Sequence, residues 1–541
     1  MARTLARKAG FYPWEAEIPG DADSPLERKG FEPSVPREAA GILVISVLVR
    51  ADFSACRSQA SDMSRRRKTW TCHVGPMVSN PASSSAESAN YRFRWKTSLW
   101  VHTLRQRRRI LKLIVRLFLL LGSFGPRRIK TEMPHFTPPA PYSLEDNPNS
   151  LLDLTDLVFI DPVGTGYSAA IAPGKNGDFW GVDEDARSIK QFIKRYLTAF
   201  NRWNSPKFLF GESYGTPRTC VLTGLLHEDG VDLNGIVLQS SILDYSQVGN
   251  TIGLLPTLAA DAWFHKKVTV SPPPTDLPTF MTTVENFALG PYAQAKAAYP
   301  QIDREVLKTL SEIAGIPPEV LVYWQLDPAI GGATVFLTSL LLSDGVALGI
   351  YDGRVTAVDT GIAGSVDPNS GGNDPTITAV GGVYTAMWNV YLNDELKYTS
   401  TSPFVDLNDQ AFLNWNFGHI DPTGAQKGGQ ATLYTAGDLA AAMALNPYLK
   451  VFSANGYYDA VTPFFQTILN FESMPLVDSH AQGNLTVRNY PSGHMIYLDN
   501  DSRTAMKADL AQFYQSTRPE LVEKAHLNRS RGVRRFSRTP Y

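Results

Sequence analysis

The sequence predicts an α/β fold, a mostly parallel central sheet flanked by helices and interrupted by an inserted cap. Three observations point there. Short apolar runs closed by Gly, Asp, Asn or Pro recur at residues 157–160 (LVFI), 208–210 (FLF), 236–238 (IVL), 449–452 (LKVF) and 485–487 (LTV). Unbroken runs of that length fit strands buried on both faces, as in a parallel sheet covered by helices. Between the first two, Val182, Ala186, Ile189, Ile193, Tyr196 and Phe200 recur every three or four residues, with Asp183, Glu184 and Asp185 near the positive N-terminal end of the helix they predict. Strand, helix, strand is a βαβ unit. From about 250 to 445 helical segments (284–299 and 303–314) and Gly/Pro-rich loops break the rhythm, so this span reads as a cap inserted over the sheet, where substrate selection is expected.

The composition suits a large core: of 541 residues 43% are hydrophobic, 11% aromatic and 19% charged. Three cysteines (Cys56, Cys72, Cys220) exclude a disulfide framework and a four-cysteine zinc site, and neither a metal nor a cofactor is expected. No uncharged apolar run reaches the 18 residues of a membrane span. The net charge of -1 conceals an asymmetry: residues 1–130 hold 24 Lys and Arg against 10 Asp and Glu, the remainder 27 against 42. Residues 1–116 therefore read as an atypical basic segment without a sustained period, not a folded domain, and the break motivates a mis-assigned start or a frame error. The body is expected over 117–517, with a basic tail at 518–541. The apolar run 41–49 makes a poor export signal, because it starts forty residues in and lacks a small-residue cleavage site. Residues 104–121 (LRQRRRILKLIVRLFLLL) fit a buried element of the body or a cationic helix on a membrane surface. The basic charge comes without zinc spacing or interleaved aromatics, so no nucleic-acid partner is expected.

The chemistry centres on Gly211-Glu212-Ser213-Tyr214-Gly215, directly after the 208–210 strand and before a helical segment. That is the setting of a nucleophile elbow, a strained turn that exposes a serine hydroxyl. Such a serine needs a base, and the base needs an orienting acid. In the elbow fold the acid and then the histidine follow the serine in the chain. His494, in a loop just after the 485–487 strand, is the base. His227, at a helix end, His265 and His419, in the cap, and His526, in the tail, are expected at the solvent, and His480 precedes its strand. Asp459, after the 449–452 strand, is the acid; the competing role for it is to cap a helix opened by Thr462 and Pro463.

Four segments, GESYGTPR (211–218), DLVFIDPVGTGYS (156–168), ANGYYDAVTPF (454–464) and YPSGHMIY (490–497), resemble the serine carboxypeptidase family, particularly its bacterial branch. The likeness spans about 117–517. It implies an α/β-hydrolase fold and a peptidase that releases C-terminal amino acids through an acyl-enzyme, so the partner is a peptide with a free C-terminus. It also implies Ser213 as nucleophile, Asp459 as orienting acid, His494 as general base and the backbone N–H of Tyr214 as an oxyanion donor. Glu212 matches the position whose carboxyl group binds the substrate carboxylate, a contact that needs a proton on one of the two. A periplasmic or secreted location goes with the family.

One family feature is absent. An Asn-Gly-Gly-Pro-Gly loop should precede Leu121 and supply the second oxyanion donor, yet residues 107–120 are arginine and leucine-rich. Losing one donor costs about 10²- to 10³-fold in rate, so this chain is expected to be impaired, with Arg127 and Arg128 as alternative binders of the substrate carboxylate. An acyltransferase on the same triad and a non-catalytic binding protein are the competing functions.

Overall fold

A computed structural model of the chain describes residues 42–49, 124–131, 133–330, 332–359, 374–406, 408–424, 428–429, 432–476 and 483–517. Among them run β1 (Ile42–Val49), β2 (Arg127–Ile129), β3 (Leu144–Asp146), β4 (Thr155–Ile160), β5 (Lys207–Ser213), β6 (Gly235–Gln239), β7 (Val346–Leu348), β8 (Thr356–Val358), β9 (Lys450–Gly456) and β10 (Leu485–Tyr490). Six of these make one sheet in the order β10-β9-β6-β5-β1-β4, with every pairing parallel. β2 with β3 and β7 with β8 form separate antiparallel ribbons. A parallel sheet covered by helices, with a strand-elbow-helix turn at its centre, is the α/β-hydrolase fold.

The strand sequences explain the layers. Successive residues of a strand point to opposite faces, so consecutive apolar residues require cover on both. Val158, Ile160, Leu209, Ile236, Leu238 and Val451 pack against Ile189, Ile193, Leu222, Leu226 and Leu439. Their neighbours Leu157, Phe159, Phe208, Phe210, Val237 and Phe452 share a core with Val380, Trp388, Leu510, Phe513 and Tyr514. The first layer comprises the helices Val182–Ala199, Gly215–Glu228 and Ala436–Leu445; the second holds Pro375–Val390 and Asn500–Ser516.

Strand β1 departs from the sequence reading, which placed no strand ahead of residue 117. It lies between β4 and β5, with Ile45 opposite both Val158 and Leu209. Its sequence ILVISVLV is rich in β-branched residues, which suit strands, but an eight-residue apolar run has no period that separates a buried strand from the core of an export signal. The rest of 1–116 and the tail 518–541 lie outside the described residues.

Between β6 and β9 the cap builds a core of its own, in which Leu254, Leu258, Phe280, Val284, Leu310 and Ile313 meet Tyr457, Tyr458, Phe464 and Phe465 of the segment after β9. The helix expected from 284 begins at Leu277, where the side chain of Asp276 accepts from the N–H of Thr279 at 2.9 Å. Pro278 sits in the first turn, the one place where a helix accepts proline readily. The helix expected over 303–314 is Arg304–Ala314, capped by Asp303 and closed by Gly315 in the left-handed region at φ +66°.

Candidate active site

β5 ends on Ser213, and the helix Gly215–Glu228 starts two residues later. Ser213 has φ +55°, a strained conformation for a residue with a Cβ. A side chain at Gly211 would bring its Cβ within 2.1 Å of the Gly215 carbonyl oxygen, so only glycine lets the helix return so close to the strand. The hydroxyl of Thr216 donates to the Ser213 carbonyl at 2.8 Å and accepts from the Ile242 N–H at 3.1 Å, tying the elbow to the segment after β6. A buried ion pair between Arg218 and Asp185 anchors the elbow helix to Val182–Ala199.

Asp459 follows β9 and is fully buried. Its Oδ1 accepts from the N–H groups of Val461 (2.9 Å) and Thr462 (3.0 Å), and its Oδ2 accepts from the Thr462 hydroxyl at 2.5 Å. Nδ1 of His494 lies 2.8 Å from the same Oδ2. Asp459 thus organises its own turn with one oxygen and holds the imidazole with the other. The helix it would otherwise cap starts only at Phe464, after Pro463. Thr462 Oγ1 also stands 3.2 Å from Nδ1 of His494.

The main chain of His494 is clamped as well. Its N–H donates to the Tyr351 carbonyl at 2.6 Å, and its own carbonyl accepts from Ser240 Oγ at 2.7 Å. β9 and the loop of His494 touch so closely that a Cβ at Gly456 would lie 2.2 Å from the Gly493 carbonyl oxygen. Ser213 ends β5, Ser240 follows β6, Asp459 follows β9 and His494 follows β10; neighbouring parallel strands therefore deliver all of them to one edge of the sheet. The Oγ of Ser213 and Nε2 of His494 are buried and have no hydrogen-bond partner among the described residues.

Glu212 is buried on the sheet face shared with Phe208 and Phe210, and Tyr497 donates to its Oε1 at 3.1 Å. The ring of Tyr214 lies beneath the Arg218 guanidinium at 5.2 Å and edge-on to Trp415 at 5.1 Å. Burial, then the charge of Asp185, holds its phenol far above the usual tyrosine range. Arg127 pairs with Asp146 and Glu395, and Arg128 pairs with Glu145 at 2.5 Å and donates to Asn500 at 2.8 Å. Both arginines named as alternative carboxylate binders are thus engaged with acidic or amide side chains.

Among the other histidines, His227 contacts Asp232 at 2.7 Å and half-buried His265 contacts the Gly353 carbonyl at 2.8 Å. His419 corrects the expectation of solvent exposure: it is 6% exposed and held between Asp183 (2.7 Å) and Asp438 (3.0 Å). It is buried because the chain returns to the sheet layer there, between the two helices that carry those acids. His480, His526 and residues 107–120 lie outside the described residues. Sequence reasoning does not find Thr462, Ser240 and Tyr351; Thr462 carried a signal, since it stands three residues past the chosen acid. No group of His, Cys, Asp and Glu fit to hold a metal occurs among the described residues, and no helix there is long and apolar enough to cross a membrane.

No curated protein matches the chain. Similar solved structures include Kex1(delta)p, a prohormone-processing carboxypeptidase from Saccharomyces cerevisiae (14% identity over 74% of this chain and 80% of that one, TM-score 0.45). Weaker likenesses include a monoacylglycerol lipase from Paleococcus ferrophilus (13%, 68% and 86%, 0.26) and a proline iminopeptidase from Mycobacterium smegmatis (10%, 67% and 81%, 0.26). Through residues 120–253, the stretch that holds β4, the elbow and β6, the chain matches the serine carboxypeptidase family, and this match together with the fold supports a peptidase-type hydrolase.

Proposed function

We propose that the protein is a serine-type carboxypeptidase of the family's bacterial branch, which releases C-terminal amino acids from peptides through an acyl-enzyme. The observation that carries this reading is the buried Asp459–His494 pair at the same sheet edge as the left-handed Ser213. Nε2 of His494 takes the Ser213 proton as Oγ attacks the scissile carbonyl carbon, and Asp459 stabilises the imidazolium that results. The N–H of Tyr214 receives the tetrahedral oxyanion. Collapse breaks the C–N bond, and the departing amine takes the proton from His494. Water, deprotonated by the same base, then hydrolyses the ester. Glu212, steadied by Tyr497, meets the free carboxylate of the substrate with one proton shared between them. A periplasmic or secreted location belongs to the same proposal.

A second reading, a slow hydrolase or a binding protein, is favoured by one observation: arginines and leucines occupy 107–120 in place of the glycine loop. A fluorophosphonate probe and a blocked dipeptide test both readings. The enzyme predicts labelling that disappears in Ser213→Ala, weak turnover, and a gain of at least about 10²-fold when Asn-Gly-Gly-Pro-Gly is restored. No labelling of folded protein would sink the enzyme reading, and equal rates with and without the loop would sink its oxyanion role. Acyl transfer to an added alcohol in preference to water would mark an acyltransferase.

A further inference from the structure

The cap sends one segment, residues 349–354, across both loops that carry the acid and the base. The carbonyl of Ile350 accepts from the Ala460 N–H at 3.0 Å, next to Asp459. The carbonyl of Tyr351 accepts from the His494 N–H at 2.6 Å, and the N–H of Gly353 donates to the Tyr458 carbonyl at 3.0 Å. Gly493 has no room for a side chain because its Cβ would stand 2.4 Å from the Tyr351 carbonyl oxygen. The Tyr351 ring meets the His494 imidazole edge to face, with centroids 5.4 Å apart, and Tyr351 is 2% exposed.

The segment is fastened at both ends. The Ile350 N–H donates to Asp374 Oδ2 at 2.7 Å, at the start of the helix Pro375–Val390. Arg354 pairs with Asp352 at 2.7 Å and Asp499 at 3.0 Å, and it donates to the Pro491 carbonyl at 2.8 Å in the base loop itself.

We infer that this strap is a support of the catalytic base, with Tyr351 as a positioning residue that fixes the imidazole of His494 through the main chain and through its ring. The inference rests on the serine carboxypeptidase reading, since it needs His494 to act as the base. Asp459 fixes one ring nitrogen of His494 and leaves rotation about that bond; an aromatic ring packed edge to face removes that freedom. Displacing the cap therefore moves the base, and substrate seated under the cap holds it in line.

The test compares the full chain, Tyr351→Leu and Tyr351→Phe on Ser213-dependent labelling by a fluorophosphonate and on hydrolysis of a blocked dipeptide. Tyr351→Leu is expected to lower kcat and the labelling rate together by about 10-fold, the scale of one aromatic pairing that favours the aligned imidazole alone, with KM nearly unchanged and the acid limb of the kcat/KM profile displaced. Tyr351→Phe, which keeps the ring, should recover most of the rate. If Tyr351→Leu does not fold, Tyr351→Met, which retains much of the volume without a ring, is measured in its place. Ser213-dependent labelling at the parent rate in the leucine or methionine variant, with an unmoved profile, overturns the strap and leaves the triad standing. Labelling that survives Ser213→Ala in the parent overturns the triad reading itself.

Discussion

Asp459 divides its oxygens between a local turn and an imidazole, and Thr462 is the residue that joins the two tasks. Its hydroxyl donates to the oxygen that holds His494, so Thr462→Val removes a donor to a buried carboxylate while leaving the shape intact. We expect kcat/KM on a blocked dipeptide to fall about 10-fold, together with a lowered melting temperature, because a buried carboxylate loses a donor. A fall in stability without loss of rate would assign Thr462 to the turn alone. Asp261, on the cap helix Thr251–Phe264, is buried with neither side-chain oxygen hydrogen-bonded. Burial first, then the charges of Asp352 and Asp459, holds its carboxyl well above the usual range, against the pull of Arg354. The folded state therefore keeps a proton that the unfolded chain gives up near pH ~3.9, and stability drains away as pH rises from there towards the folded value. Asp261→Asn has no proton to lose, so thermal melts should show it above the parent at pH 7 and level with it at pH 3; parallel curves would contradict this. The common placement of Ser213, Asp459 and His494 at one sheet edge was legible because each follows an apolar run. Tyr351 was not, since a Tyr-Asp-Gly-Arg turn acquires its neighbours only when the cap folds back.

At the scale of elements, the strands buried on both faces announced themselves and the one before residue 117 did not. β4, β5 and β6 read as unbroken apolar stretches next to turn residues and a periodic helix, three signals that agree. β1 had the apolar stretch alone, between charged neighbours. Its place between β4 and β5 has a direct consequence, because a central parallel strand uses its N–H groups on both sides and tolerates no proline. Ile45 pairs with Val158 on one side and Leu209 on the other. Ile45→Pro should cost about 3 kcal/mol or more and leave little soluble protein. A soluble Ile45→Pro variant with the parent's melting temperature would remove residues 42–49 from the sheet. Proline does not break the cap helices: Pro278 lies in a helix's opening turn, and Gly290-Pro291, inside the stretch read as helical from 284, lies in a π-helical turn that continues it.

At the scale of the whole molecule, the expected cap of about 250–445 hid two helices, Pro375–Val390 and Ala436–Leu445, that cover the sheet itself, and the bonds that close the cap upon the sheet left no trace in the sequence. His419 shows why: seen alone it is a polar residue in a Gly- and Asp-rich stretch, and only folding brings Asp183, from the first crossover helix, and Asp438, from the helix before β9, to its two ring nitrogens. Burial pulls its imidazole down, yet the hydrogen bonds and charges of these two acids outweigh that and push it up to about 9. Arg187, one turn from Asp183, pairs with the same carboxylate, and Asp421 adds negative charge beside Asp438. Because the folded value stands above the unfolded one near 6.5, the clamp stabilises fully below pH ~6.5 and its contribution disappears as pH rises through about 9. His419→Gln keeps the volume and removes the charge. The parent should therefore lose melting temperature between pH 6.5 and 9 more steeply than the variant, while the variant should be the less stable of the two at pH 6, where the buried Asp438 loses its cation and Asp183 keeps only Arg187. If the two proteins share one pH profile, the imidazole carries no charge that the fold depends on, and the clamp is no ion pair.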